Sequence, residues 1–409
     1  MSSKQILDDI FKKNHPDKNI KITVLGGGHV GQPLALILSN YGYNVVIYDL
    51  NPNVVHAINE GRSSLEEFGM DFLAKKGFER GLLSAQSSLA TSDIYIIAVP
   101  TPIKPDFSAN IDSVLNTLEK IAQVYRENQT IIVESTIPPN CSESTLIPFF
   151  LSIRPEIKVK FVHSPERIIP GQTLEELIYN SRTIGGNTKE SIKDAFDVYS
   201  TFVKGQITTS TLIEAELCKL FENAYRDVNI AIANQIALYC NNKGISADRI
   251  ISLANNHPRV NILKPGIGVG GHCIPIDPWF IIQDDPVNTT IFKSARTINS
   301  NIENIVFNKL EKMINKMGDS KVLLLGKTYK PDVADIRESP SLNIGKRLVK
   351  LSENIVHFDP YVDNDDLSEL VKENWDLIVI LVSHSQFIQL FNQQHINPEL
   401  IFDATKWYE

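Results

Sequence analysis

The chain has 409 residues, 43% of them hydrophobic and 22% charged, with a formal net charge of −8 at pH 7. That length supports two or three domains with their own cores, and the composition is that of a soluble globular protein. The acidic balance gives no general support for a nucleic-acid or anionic-membrane role, so an anionic ligand must be held by local Lys, Arg and backbone N–H groups.

The opening stretch, MSSKQILDDIFKKNHPDKN, is polar and lacks the apolar core of a signal peptide. No apolar run approaches the roughly 18 residues of a membrane span. The four cysteines, Cys141, Cys218, Cys240 and Cys273, lie far apart with no CxxC or zinc spacing, which points to free thiols in a reducing compartment. A cytoplasmic protein is expected.

Residues 21–26 (KITVLG) form a short apolar run that stops at glycine, as a buried parallel strand does. A helix should run from about Val30 to Asn40 and end near Gly42, and a second strand, NVVIYD, ends at Asp49. The runs IYIIAVP (94–100), TIIVES (130–135) and VKFVHSP (159–165) read as further strands between helical stretches, which implies a doubly wound parallel sheet. From Thr209 to about Asn242 the pattern becomes one long helix, with a capping box at Thr211 and Glu214 and a stop at Gly244. It is too long for an α/β connector. We read it as the spine of a central helical domain, of the kind that forms dimer interfaces, with a second long helix over 286–316.

After Asp319 the alternation resumes with KVLLLG (321–326), a helix near 341–351, NIVHFDP (354–360), DLIVILV (376–382) and LIFDAT (400–405). The fold class is therefore α/β. Two Rossmann-like doubly wound domains, 1–205 and 319–409, are joined by a central long-helix dimerisation domain, 206–318.

Gly26, Gly28 and Gly31 spell G-x-G-x-x-G between the first strand and its helix, and Asp49 closes the second strand. The glycines permit a tight turn, approach of a pyrophosphate and close helix–strand packing, with the helix N-terminus facing the phosphates. Asp49 suits ribose hydroxyls and repels a 2′-phosphate. Leu50, Asn51 and Pro52 offer no arginine for that phosphate, so NAD is expected over NADP. His29 and Val30 belong to the same turn. Far along the chain, Cys273 sits in GIGVGGHCIPIDPWF (266–280), where bare backbone can close around a ligand. The nine histidines show no HExxH or other ligand spacing, so no metal is expected.

VPTP (99–102), ESTIPP (134–139), SPERIIPG (164–171), AELCKLFENAYRDVNIA (215–231), GVGGHCIPIDP (268–278) and GKTYKPDVADIRESP (326–340) occur in this order. On these motifs the chain, from about residue 21 to its C-terminus, resembles the nucleotide-sugar 6-dehydrogenases of the UDP-glucose/GDP-mannose dehydrogenase superfamily. The resemblance implies a dimeric enzyme that oxidises a sugar C6 alcohol to a carboxylate with two NAD. Within the family, HPRVNIL and RDVNIAIAN are most similar to enzymes acting on UDP-N-acetyl-D-mannosamine, with UDP-N-acetylglucosamine enzymes next.

The same resemblance implies the roles of individual residues. Cys273 is the nucleophile that carries a thiohemiacetal and then a thioester. Its place before the helix start expected at Asp277–Pro278 favours the thiolate. Lys219 and Asn223, one helical turn apart, polarise the C6 oxygen. Glu166 assists proton transfer and thioester hydrolysis, Thr136 helps hold the water, and Asp277 supports that network. Pro100, Thr101, Thr136 and Arg337 are expected at the cofactor. Arg167, Arg259, Gly270 and Lys330 join Glu166, Lys219 and Asn223 at the UDP-sugar. Glu134 is an alternative contact at the nicotinamide end. UDP-glucose enzymes carry a second glutamate four positions after Glu166, where this chain has Pro170.

Overall fold

The computed structural model describes Leu7, Ile10, His15 and residues 17–408, apart from Pro170 and His395. The chain divides into two compact units, one up to Leu220 and one from Phe221 onward, and the division falls inside the helix Leu212–Asn241.

The described strands of the first unit are β1 (Lys21–Leu25), β2 (Asn44–Tyr48), β3 (Leu83–Gln86), β4 (Ile94–Ile97), β5 (Thr130–Val133), β6 (Lys160–His163), β7 (Arg182–Gly186) and β8 (Ile207–Ser210). They form one sheet in the order β3-β2-β1-β4-β5-β6-β7-β8. The first six run parallel in the 3-2-1-4-5-6 order of a doubly wound dinucleotide-binding sheet. β7 runs antiparallel to β6, and β8 parallel to β7. Both faces of the sheet are covered. Ile22 and Val24 of β1 enter an apolar cluster with Leu34, Ile37 and Ile58, while Leu25 enters another with Leu118, Ile121 and Phe150. Burial on both faces is why β1 reads as an unbroken apolar run.

β3, β7 and β8 do not stand out in the sequence: β3 and β8 have exposed positions, and β7 opens on Arg182 and ends on two glycines. β8 also corrects the start of the long helix. Ile207–Ser210 pairs with Arg182–Gly185, so Thr209 is strand and the helix begins at Leu212. The capping box is present: Glu214 Oε2 accepts from the Thr211 N–H at 2.8 Å, and the Glu214 N–H reaches Thr211 Oγ1 at 3.4 Å.

The second unit contains β9 (Val322–Leu325), β10 (Ile355–Phe358), β11 (Leu377–Ile380) and β12 (Ile401–Asp403), all parallel, in the order β10-β9-β11-β12. The second long helix spans Thr290–Met317. It is tied to the first by a buried polar ladder. Asp227 pairs with Arg296 Nε at 2.9 Å and accepts from Asn299 Nδ2 at 2.8 Å, and Asn234 Nδ2 donates to Asn299 Oδ1 at 2.9 Å. Such a pair is retained only where further hydrogen bonds satisfy it, as they do here. Among the described residues, no helix is long and apolar enough to cross a membrane.

Candidate active site

In the first unit the turn after β1 leads directly into the helix Gly31–Asn40. A Cβ on Gly31 would lie 1.9 Å from the Gly26 carbonyl oxygen, so only glycine lets the helix pack this close. A Cβ on Gly28 meets no protein atom within 4 Å, which leaves that face of the turn open. Val30 gives the helix no side-chain cap, and His29 is exposed beside it. Uncapped amides at an open glycine turn suit a diphosphate. Asp49 completes the cradle. Its Oδ2 accepts from the Gly27 N–H at 2.6 Å and its Oδ1 from the Asn51 N–H at 2.7 Å, and each oxygen keeps a lone pair for a ribose hydroxyl. Leu50 beside it is exposed. These residues fit NAD.

Gln32, which no motif singles out, holds the turn from below. It donates to the Gly27 carbonyl at 3.1 Å and accepts from the Ser64 N–H at 3.0 Å. At the tips of β4 and β5, Thr101 Oγ1 donates to the Thr136 carbonyl at 2.6 Å, and Ser135 Oγ accepts from the Val99 N–H at 2.9 Å. The VPTP and ESTIPP loops are thus locked together, with Pro100 exposed and Thr136 half-buried.

Behind them lies a buried charge cluster. Arg182 Nη1 meets Glu134 Oε1 at 2.7 Å, and its Nη2 meets Glu166 Oε2, also at 2.7 Å. The Tyr199 hydroxyl donates to Glu134 Oε1 at 2.5 Å, and the Arg167 N–H donates to Glu166 Oε1 at 2.5 Å. Glu134, expected as an alternative contact at the nicotinamide end, is instead turned inward, with a fully enclosed side chain. Burial pushes its carboxyl up to about 7, against the pull of Arg182. The Arg167 side chain binds Ser181, Thr183 and the Cys218 thiol, so its guanidinium braces β7. A polar cavity of about 10 Å³, room for about one water, is lined by Glu166, Arg167, Glu176 and Arg182. Pro170 lies outside the described residues.

Lys219 is 7% exposed, and among the described residues its ammonium has no carboxylate partner. A buried cation of this kind is stabilised by an arriving negative charge. Asn223 follows one turn later on the same helix.

In the second unit, Asn223 Nδ2 donates to Asp277 Oδ2 at 2.6 Å. Both groups are buried, so Asp277 orients the Asn223 amide and leaves its second N–H to donate elsewhere. Asp277 opens the helix Asp277–Asp284, and its N–H donates to the Cys273 carbonyl at 2.8 Å. Cys273 is the exposed cysteine. Cys141 and Cys240 are buried, and burial pushes the Cys141 thiol up to about 12.

The glycine loop is walled by the GKTYKPDVADIRESP segment. Gly271, at φ +86°, lies against the Tyr329 ring, donates its N–H to the Arg337 carbonyl at 3.1 Å, and has no room for a side chain. A Cβ on Gly270 would sit 2.7 Å from both the Glu338 carbonyl and Tyr329. Arg337 is held by Asp335 through Nε at 2.9 Å and Nη2 at 2.6 Å, a pairing that raises the guanidinium, with Cys273 adding to the shift. Burial raises the Tyr329 phenol, and Asp335 and Cys273 add to that. Lys330 is half-buried and Arg259 exposed. Trp407 donates its indole N–H to the Gly266 carbonyl at 2.9 Å and supports the loop.

The structure thus brings Cys273, Gly270, Arg337 and Tyr329 together, and joins Asn223 to Asp277. In the other unit it brings Glu166 to Arg182 and Thr136 to Thr101. Arg182, Tyr199 and Trp407 carry no motif. The only signal for Arg182 is a charge opening the apolar run RTIGG. Among the described residues, no group of three or more His, Cys, Asp or Glu is placed to hold a metal ion.

Comparison with known proteins covers almost the whole chain. Residues 20–203 match the NAD binding domain of the UDP-glucose/GDP-mannose dehydrogenase family, 213–301 its central domain and 323–409 its UDP binding domain. A UDP-N-acetyl-D-mannosamine dehydrogenase of Methanococcus maripaludis is 39% identical, covering 92% of this chain and 89% of the relative. One from Campylobacter jejuni is 37% identical, covering 90% of this chain and 97% of the relative. The solved UDP-D-ManNAc dehydrogenase of Pyrococcus horikoshii superposes with a TM-score of 0.87 at 33% identity, covering 93% of both chains.

Proposed function

The chain belongs to the UDP-glucose/GDP-mannose dehydrogenase family, as an NAD-dependent UDP-sugar dehydrogenase, and from that premise we propose that it oxidises the C6 hydroxyl of UDP-N-acetyl-D-mannosamine to the carboxylate. The substrate reading is supported by the names of its relatives. The chemistry is carried by one observation: an exposed thiol in a glycine loop walled by Tyr329 and the Arg337–Asp335 pair.

Bound NAD, held by the Gly26–Gly31 turn and Asp49, would supply the hydride acceptor for two successive oxidations at C6. The other roles fall to side chains. Lys219 stabilises the alkoxide as the alcohol loses its proton, and Asn223, oriented by Asp277, donates to the same oxygen. The Cys273 thiolate adds to the aldehyde carbon to form a thiohemiacetal, whose oxidation leaves a thioester. Glu166, steadied by Arg167 N–H and Arg182, takes a proton from water as that water attacks the thioester, releasing the acid and the thiol. The balance is one alcohol, two NAD and one water to one carboxylate, two NADH and three protons. Arg259 and Lys330 contribute positive charge toward the diphosphate.

We further propose the three-part organisation 1–205, 206–318 and 319–409, a cytoplasmic setting and a homodimer. The dimer reading is supported by an apolar groove of about 700 Å³ between the two long helices, lined by Ile232, Tyr239, Ile250 and Ile291. The product is an aminouronic acid for surface polysaccharide.

The test is a panel of UDP-sugars (N-acetylmannosamine, N-acetylglucosamine, glucose, N-acetylgalactosamine) with NADH and acid counted per sugar. We expect two NADH per sugar and the highest kcat/KM on UDP-N-acetyl-D-mannosamine. A count of one or zero sinks the two-step scheme, and a preference for UDP-N-acetylglucosamine or UDP-glucose moves the substrate assignment. Cys273→Ser should lower acid formation by about 10³-fold or more while still binding NAD and UDP-sugar, since a serine alkoxide is far harder to form. Wild-type turnover in that variant refutes the covalent scheme.

A further inference from the structure

Arg182 is 5% exposed and lies in no motif, yet its guanidinium is shared between two carboxylates, Glu134 and Glu166, at 2.7 Å each. Its Cζ also lies 4.3 Å from the centre of the Tyr199 ring, whose hydroxyl donates to Glu134. The cluster therefore holds one fixed cation against two acids. With both acids ionised it carries a net buried charge of −1, which a low-dielectric site resists. The two acids are not equivalent. Glu134 is enclosed, and its Oε2 has no hydrogen-bond partner, whereas Glu166 lies at the 10 Å³ polar cavity.

We propose that Arg182 is a positioning residue that holds Glu166 in place as an anion, and that Glu134 sets the strength of that hold by competing for the same guanidinium. This rests on Glu166 serving the hydrolytic step described above. When Glu134 is protonated, the whole charge of Arg182 falls on Glu166 and steadies its carboxylate. When Glu134 is ionised, it draws on the guanidinium and repels Glu166 as a like charge. The two carboxyls therefore compete for one guanidinium. Burial raises Glu134, and the two carboxylates raise Arg182 despite its own burial, so the exchangeable proton belongs to an acid and never to the guanidinium. The other charged or titratable groups here are Arg167 and Glu176 at the cavity and Tyr199 behind Glu134.

Both the angle of Glu166 and its working pH range are thus set by residues that never reach the substrate. A purely structural ion pair would hold the fold together and leave the pH range alone. That difference is measurable.

The experiment compares wild type, Glu134→Gln, Arg182→Gln and Arg182→Lys by single-turnover acid formation across pH, with NAD and UDP-sugar affinities measured on the same preparations. In Glu134→Gln the carboxyl that ionises near pH 7 is gone, so the fall in acid formation that wild type should show as pH rises through about 7 should be lost, with both affinities unchanged. In Arg182→Gln the acidic limb should move up. Acid formation at neutral pH should then fall by roughly 10- to 100-fold, part of the roughly 10²–10⁴-fold that a positioned general base supplies. Arg182→Lys should recover part of that loss, because it restores the charge without the two-pronged geometry.

A Glu134→Gln profile that superimposes on wild type overturns the proposal, as does full activity in folded Arg182→Gln. If Arg182→Gln does not fold, the isosteric Glu134→Gln decides alone. The underlying reading fails separately: Glu166→Gln with undiminished acid formation would remove Glu166 from hydrolysis, whatever the other variants do.

Discussion

Asp49 does two things with one carboxylate. It closes the glycine turn through the Gly27 N–H and keeps free lone pairs for ribose hydroxyls. We predict that Asp49→Ala weakens NAD binding by about 10- to 100-fold in Kd, the worth of hydrogen bonds to a charged group, and relaxes the preference against NADP. Calorimetric titration with both cofactors checks this, and unchanged affinity for both removes Asp49 from the ribose site. Asp49 and the glycines are legible in the sequence because their spacing follows from local geometry. Arg182 and Tyr199 are not, because they lie 48 and 65 residues from the Glu134 they bind. Local patterning carries no information about a partner brought in by the folded sheet.

Strands and helices show the same division. β1, β2, β4, β5 and β6 are buried on both faces and announce themselves as apolar runs. β3 and β8 carry exposed positions and β7 opens on a charge and ends on two glycines, so they do not, and β8 moves the start of the long helix from Thr209 to Leu212. Strand β6 makes a further prediction through His163, its last residue. The ring is buried with no partner on Nδ1, and that burial holds its pKa down to about 3, from an ordinary 6.5. The unfolded chain therefore takes up a proton near 6.5 that the folded chain refuses. The stability this neutral ring allows is complete above pH 6.5 and is lost as pH falls from there toward about 3, at up to about 1.4 kcal/mol per pH unit. The denaturant midpoint of wild type should fall across that window, and His163→Gln should flatten the slope by one proton. An equal slope in the variant would show that His163 is not the group being titrated.

For the whole molecule, the exposed apolar faces of the long helices make the sharpest claim. Tyr239 and Ile291 at the groove are 64% and 66% exposed. Each such side chain contributes about 1.5–3 kcal/mol if covered, which offsets part of the cost of association. We predict a dimer by analytical ultracentrifugation, and a shift to monomer in Ile232→Asp. A wild-type monomer at micromolar concentration would reject the dimer. The bond from the Trp407 indole to Gly266 joins residues 141 positions apart, and the Trp407 carbonyl also accepts from Lys309 Nζ. Its consequence concerns synthesis as much as structure. The residue that seats the Cys273 loop is made 141 positions after Gly266, so a nascent chain cannot finish the loop until Trp407 has emerged. A stop before Trp407 should act on the Cys273 thiol from more than a hundred residues away.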